Sequence, residues 1–157
     1  MSATTDTTRA PATNELVITR IFDAPRELVF KAWTDKAQAI YWMGPREYPV
    51  VYFEQDLRPG GMWRARLHPV AGGDDLWQGG VCREVVPPER FVFTFAWDSK
   101  SGLPGDETLI TITFDDDHGK TRMTFRQSPF ESVGQRDGHR DGWNSTFDRL
   151  AEHLRAA

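Results

Sequence analysis

The stretch HRDGWNSTFDRLAEHL, residues 139–154, decides the fold of this chain. Large apolar side chains recur in it at the i, i+4, i+7 and i+11 spacing of one helix face: Trp143, Phe147, Leu150 and Leu154. This pattern predicts an amphipathic helix over residues 133–155, roughly 30 Å long at 1.5 Å per residue. Because exposing this apolar stripe to water is unfavourable, another element must cover one side of the helix.

Alternating strands precede this helix. In residues 90–97 the aromatic side chains fall on a single face at a period of two residues: Phe91, Phe93, Phe95 and Trp97. Runs separated by turn signals predict six strands, over residues 48–57, 62–68, 76–86, 90–97, 109–114 and 120–130. The turns are short, so neighbouring strands are antiparallel, with one face toward the core and one toward water.

The chain begins with a strand that leads directly into two short helices. Residues 16–22 form a β-rich run that ends at Asp23, whose side chain can cap a helix beginning near Pro25. Asp35 provides both a stop for this helix and an N-cap for a second one, which continues through Trp42.

This order of elements predicts an α+β fold. No helix separates the later strands, which excludes a parallel, doubly wound sheet. A long, curved antiparallel sheet can bury its dry face only against the terminal helix, with the short helices closing one end. Side chains can fill the gap between sheet and helix, or the gap can remain open as an apolar cavity. The sequence leaves both arrangements open.

Length and composition limit the possible functions. The 157 residues fit one domain, predicted over residues 15–157 after a disordered, threonine-rich tail at residues 1–14. A net charge of −4 with scattered basic residues argues against nucleic acid or an anionic membrane surface as a partner. Neither a signal peptide nor a membrane span is predicted, so we expect a cytoplasmic protein. The single cysteine, Cys82, excludes an internal disulfide and is expected to be buried filler.

Five separated motifs together resemble a known family. They are ITRIFDAPRELVFKAWTD (18–35), YWMGP (41–45), DLRPGGMWR (56–64), VVPPERFVFTFAW (85–97) and HRDGWNSTFDRLAEHL (139–154). In this order, over about residues 15–155, they resemble the family related to the C-terminal domain of the activator of heat shock protein 90 ATPase. That family belongs to the START-like, or SRPBCC, superfamily. The resemblance implies a helix-grip, Bet v 1-like fold and an apolar cavity that holds a hydrophobic molecule.

The inward-facing aromatic residues can form either a solid core or the wall of a pocket. A buried indole N–H needs a partner, and a ligand or water in a cavity can provide one, which favours the pocket for Trp42 and Trp143. We expect Trp42 and Met43 at the mouth of the pocket, where the second short helix closes one end. Trp33 and Phe147 are predicted core residues.

One polar side chain, Gln127, is predicted to lie on the inward face of its strand. A buried amide without partners costs about 1–3 kcal/mol, which a ligand, a water molecule or a neighbouring backbone group would relieve. The predicted pocket residues are Trp42, Met43, Trp63, Phe93, Phe95, Trp97, Met123, Phe125, Gln127 and Trp143.

Few ionisable side chains are positioned to act in catalysis. The candidates for acid or base catalysis are His139, Glu54 and Asp56. His139 lies four residues before Trp143 and is expected to pack at the start of the helix, bonded to backbone or to a carboxylate such as Glu131. The four histidines show no metal-ligand spacing, so neither a metal nor another cofactor is predicted.

Three functions are compatible with these features. The leading hypothesis is a domain that binds a hydrophobic or aromatic small molecule without transforming it. A small enzyme of the cyclase or hydrolase kind would use the same pocket and needs an ionisable group inside it. A module that interacts with a chaperone needs an exposed apolar surface. The sequence is compatible with a monomer or a homodimer.

Overall fold

The structure, a computed structural model, describes residues 14–98 and 105–156. Its elements are, in chain order, β1 (Leu16–Phe22), α1 (Arg26–Thr34), α2 (Lys36–Trp42), β2 (Val50–Gln55), β3 (Met62–Leu67), β4 (Leu76–Val86), β5 (Arg90–Trp97), β6 (Thr108–Asp117), β7 (Lys120–Ser128) and α3 (Val133–Ala156). The tail predicted at residues 1–14 lies outside the described residues, except for Asn14.

The strands form one antiparallel sheet in the order β1-β7-β6-β5-β4-β3-β2. All consecutive strands from β2 to β7 are neighbours, and β1 closes the order by pairing with β7. The two short helices follow β1 directly, and α3 follows β7. This arrangement confirms the predicted α+β helix-grip fold.

The two short helices begin for different reasons. Asp35 caps α2 as predicted, because its carboxylate accepts a hydrogen bond from the backbone N–H of Ala37 at 3.0 Å. The predicted cap of α1 was wrong. Pro25 occupies that position, and its side chain has no hydrogen-bond acceptor, so no side chain caps the helix.

Aromatic contacts join the middle of α3 to the sheet. The ring centroid of Phe125 on β7 lies 4.7 Å from that of Trp143 and 5.3 Å from that of Phe147. On the opposite side, Phe147 contacts Trp33 of α1 at 6.0 Å. Trp143, Phe147 and Leu150 are buried, so the stripe predicted for this helix is the face that meets the protein interior.

A buried hydrogen-bonded chain lies at this junction between α3 and the sheet. Gln127 is fully buried, and its amide carbonyl accepts a hydrogen bond from the Trp143 indole N–H at 2.9 Å. Its amide N–H donates to the Thr108 hydroxyl at 2.9 Å, and that hydroxyl donates to the carbonyl of Phe95 at 3.2 Å. The protein itself therefore satisfies the inward amide of Gln127.

Among the described residues, no helix has the length and apolar character needed to cross a membrane. The cytoplasmic location expected from the sequence stays a prediction.

Replacing Gln127 with methionine should lower the free energy of unfolding by about 1–3 kcal/mol, because the buried Trp143 N–H loses its acceptor and the Thr108 hydroxyl loses one of its two hydrogen bonds. Urea denaturation measures this change. The matched control is Gln135→Met, whose amide bonds at an exposed helix start and should matter by less than about 1 kcal/mol. Equal effects of the two substitutions would contradict the assignment.

Candidate functional site

A cavity of about 300 Å³ lies between the inner face of β3–β5, the loop after α2 and the N-terminal half of α3. Its wall consists of Met43, Gly44, Pro45, Tyr48, Leu67, Leu76, Gln78, Phe95, Trp97, Gly138, His139, Gly142, Trp143 and Thr146. Tyr48 and Gly138 are exposed, and they mark the side of this main cavity that faces solvent.

The main cavity exists because α3 carries small residues where it passes over this part of the sheet. Gly138, Gly142 and Thr146 follow one another at four-residue spacing, so they share one helix face. A methyl group added at Gly142 would lie 3.6 Å from Pro45, and one added at Gly138 would meet nothing within 4 Å. Each glycine costs a helix roughly 0.5–1 kcal/mol relative to alanine. The helix therefore sacrifices some stability and leaves space beside the sheet.

The loop after α2 is held over the main cavity by backbone geometry and by α3. Gly44 has a φ of +89°, and a Cβ there would lie 2.6 Å from the carbonyl oxygen of Tyr48. Only glycine fits this position. The guanidinium of Arg149 donates hydrogen bonds to the carbonyls of Met43 at 3.0 Å, Gly44 at 2.8 Å and Tyr41 at 3.0 Å. These contacts fix Met43 and Gly44 as parts of the wall.

His139 presents a neutral imidazole to the main cavity. The Trp97 indole N–H donates to its Nε2 at 3.3 Å, and because indole is only a donor, Nε2 must be unprotonated. The proton of the neutral ring is therefore on Nδ1. Burial lowers the pKa of His139 from 6.5 to about 4. The expected partners were backbone or Glu131; instead the ring bonds to Trp97 and packs 4.9 Å from the ring of Phe130.

Gln78 is the most buried polar side chain in the wall that has no hydrogen bond of its own. It lies on β4 between Ala65 of β3 and Trp97 of β5, and only 6% of its surface is exposed. Among the described residues, no group forms a hydrogen bond with its side-chain amide. Its amide atoms are not among the fully buried polar atoms without a partner, so they reach the surface of the cavity, where a ligand or water can bond to them.

A smaller cavity of about 20 Å³ lies behind the main one. The two share Met43, Gln78 and Trp143 as walls. Near the smaller cavity, the indole N–H of Trp33 and the amide oxygen of Gln55 are buried without a partner among the described residues. Trp33, predicted to be core, is 1% exposed and also lines this cavity.

The structure brings only part of the predicted pocket residues together. Met43, Phe95, Trp97 and Trp143 line the main cavity, and Trp63 and Phe93 line the smaller one with Met43 and Trp143.

The remaining four predicted residues lie in neither wall: Trp42, Met123, Phe125 and Gln127. Trp42 was expected at the mouth, but its N–H donates to the backbone carbonyl of Ala32 at 3.1 Å. Its ring packs 4.8 Å from that of Trp33. Phe125 packs against α3, and the amide of Gln127 is satisfied internally.

Two of the three catalytic candidates lie away from both cavities. Asp56 is exposed and its carboxylate accepts a hydrogen bond from Arg58 at 2.8 Å. Glu54 is exposed on β2, where its hydrogen bond raises the pKa of the Tyr52 hydroxyl. His139 therefore has no carboxylate beside it from this predicted set. Within residues 14–98 and 105–156, no group of three or more His, Cys, Asp or Glu side chains is placed to hold a metal ion.

Sequence reasoning missed Gln78 and the glycines of α3. The phase of β4 could have identified Gln78, because it is four residues from the buried Cys82 on the same face of the strand. The four-residue spacing of Gly138 and Gly142 was equally visible, but it indicates space only once the helix is known to pass over the sheet.

Known proteins resemble this chain both in sequence and in structure. A sequence model described as activator of Hsp90 ATPase homolog 1-like protein matches residues 23–155. No curated protein is significantly similar in sequence.

Solved structures resemble the chain over nearly its full length. A crystal structure of a Chromobacterium violaceum protein has 27% identity and a TM-score of 0.81, covering 90% of this chain and 96% of its own. The AHSA1 protein of Silicibacter pomeroyi has 25% identity and a TM-score of 0.79, covering 90% and 98%. A solution structure from Arthrobacter aurescens, with 22% identity, a TM-score of 0.81 and coverages of 94% and 91%, shares the fold.

The depressed pKa of His139 predicts a specific pH dependence of stability. The unfolded chain binds this proton near pH 6.5 and the folded protein only near about 4, so protonation in that window favours the unfolded state. The free energy of unfolding should fall by up to about 3 kcal/mol as pH drops through the window. His139→Gln should remove this component in urea denaturation at several pH values. An NMR titration midpoint of the His139 ring near 6.5 would contradict the prediction.

Proposed function

We propose, from the premise that the chain belongs to the activator of Hsp90 ATPase homolog 1-like family, that it binds a hydrophobic or aromatic small molecule in the main cavity. The observation that carries this proposal is an apolar cavity of about 300 Å³ beneath α3, with few polar groups in its wall. Small-molecule sites are concave and mostly apolar, and begin at about this volume.

Aromatic rings in the wall favour a flat ligand. The ring of Phe95 lies 5.5 Å from that of Trp97 and 6.2 Å from that of Trp143, in edge-on arrangements. A planar molecule that lies against these rings gains contact area and favourable ring geometry at little entropic cost to the rigid side chains.

We infer that residues 15–157 act together as one binding domain.

We propose that the protein binds this molecule without transforming it chemically. The imidazole of His139 is the basic group in the wall, and its Nε2 is engaged by the N–H of Trp97. Acid or base catalysis needs a group that exchanges a proton near the working pH. A neutral imidazole with a pKa of about 4 is better suited to donating a hydrogen bond through Nδ1.

A leucine at position 138 should block the main cavity. Gly138 lines it, and a Cβ there meets no atom within 4 Å, so the new side chain can extend into the space that a ligand would occupy. Binding of N-phenylnaphthylamine, an uncharged fluorescent probe, should weaken by about tenfold or more, because the occupied volume removes apolar contact area. Fluorescence titration measures the dissociation constant.

Gly134→Leu is the matched control, since this glycine lies one turn earlier on α3, is exposed and lines neither cavity. Both substitutions raise helix propensity, so neither should unfold the protein. Unchanged affinity in Gly138→Leu, or equal weakening in both variants, would overturn the proposed site. Absence of binding to the folded wild-type protein would overturn the proposed function.

A further inference from the structure

We infer that the ligand of the main cavity is uncharged and carries a hydrogen-bond donor beside a carbonyl acceptor, and that Gln78 recognises this pair. The inference rests on the proposed function and names the chemical class of its ligand. Amides, lactams and neutral hydroxy-carbonyl compounds with a flat apolar body belong to this class.

The unpartnered amide of Gln78 carries this inference. Its side chain is 6% exposed and forms part of the wall of both cavities, but no described residue bonds to it. A side-chain amide has a carbonyl acceptor and an N–H donor next to each other. A ligand group with the complementary pair can therefore form two parallel hydrogen bonds with it. Such bonds would give the amide partners on the apolar wall, where no described residue provides one.

The position of Gln78 is fixed by the strand pairing on both sides. Its backbone lies opposite Ala65 of β3 and opposite Trp97 of β5, within the sheet rather than at an edge. The pairing fixes the backbone from which the amide extends, and the side chain is only 6% exposed, so Gln78 can discriminate between ligands by whether they complete its hydrogen bonds.

The remaining wall residues indicate that the ligand is neutral. In the part of the chain that the structure describes, neither cavity is lined by aspartate, glutamate, lysine or arginine. An ionised carboxylate, phosphate or ammonium group would enter this apolar space without a charged partner, which is strongly unfavourable. His139 does not change this conclusion, because its ring is the neutral tautomer set by the N–H of Trp97.

Three derivatives of naphthalene with the same substituted position test the inference: the carboxamide, the methyl ketone and the carboxylate. The amide and the ketone have nearly the same shape, but only the amide adds a donor beside the carbonyl. By isothermal titration calorimetry, wild-type protein should bind the amide about tenfold more tightly than the ketone, and the carboxylate most weakly.

Gln78→Met keeps the length of the side chain and removes both hydrogen-bonding groups. In this variant the amide and the ketone should bind with equal affinity. Thr146→Val is the matched control: Thr146 also lines the cavity, but its hydroxyl already donates to the carbonyl of Gly142 at 2.8 Å. This variant should keep the preference for the amide. Far-ultraviolet circular dichroism verifies that each variant is folded.

The outcomes distinguish a failure of the inference about Gln78 from a failure of the proposed function. Equal binding of amide and ketone to the wild type, tightest binding of the carboxylate, or a preference for the amide that survives Gln78→Met would overturn the inference and leave the proposed function intact. If the folded wild type bound none of the three compounds and no N-phenylnaphthylamine, both would be overturned.

Discussion

The hydrogen bond between the Trp143 indole and Gln127 is the constraint on which the rest of the site depends. It joins α3 to β7 inside the core, where both side chains are buried. The aromatic contacts of Trp143 and Phe147 with Phe125 surround the same point. Together with the aromatic contacts of Trp143 and Phe147 and the hydrogen bonds of Arg149, this attachment positions the turns of the helix before it. Gly138, His139 and Gly142 are held over the sheet in this way.

The main cavity results from an unequal distribution of side-chain volume along α3. Trp143, Phe147 and Leu150 fill the space between the helix and the rest of the protein, whereas Gly138 and Gly142 on the earlier turns leave space beside His139. An apolar cavity weakens packing because its lining atoms lose contact partners. The chain nevertheless supports this space from the other side, where Arg149 holds the loop containing Met43 and Gly44. Together these features suit a protein that contacts a ligand in this space.

The fold could be predicted from sequence because it follows from periodicity and order. The aromatic alternation of residues 90–97 and the apolar stripe ending at Leu154 determine a sheet and a helix that must cover each other. Cap chemistry was less decisive: Asp35 caps as expected, but Asp23 does not, because Pro25 begins the helix without a side-chain cap.

The site could be predicted only in part, since periodicity shows which side chains point inward but not which of them meet one another. Phe95 and Phe125 both lie on inward faces, yet one borders the cavity and the other packs under α3. Hydrogen bonding was equally ambiguous. Gln127 and Gln78 are both buried amides on strands, but the first has partners from Thr108 and Trp143, whereas the second lacks a partner among the described residues. Such differences arise from long-range contacts.

The binding site can be located directly by an NMR titration with N-phenylnaphthylamine that follows the six tryptophan indole N–H resonances. If the main cavity holds the ligand, the signals of Trp97 and Trp143, which line it, shift on binding. The signal of Trp77 should stay in place, because its ring lies 4.3 Å from the guanidinium of Arg64 on the outer face of the sheet. A shift of Trp77 without shifts of Trp97 and Trp143 would show that the probe binds outside the main cavity.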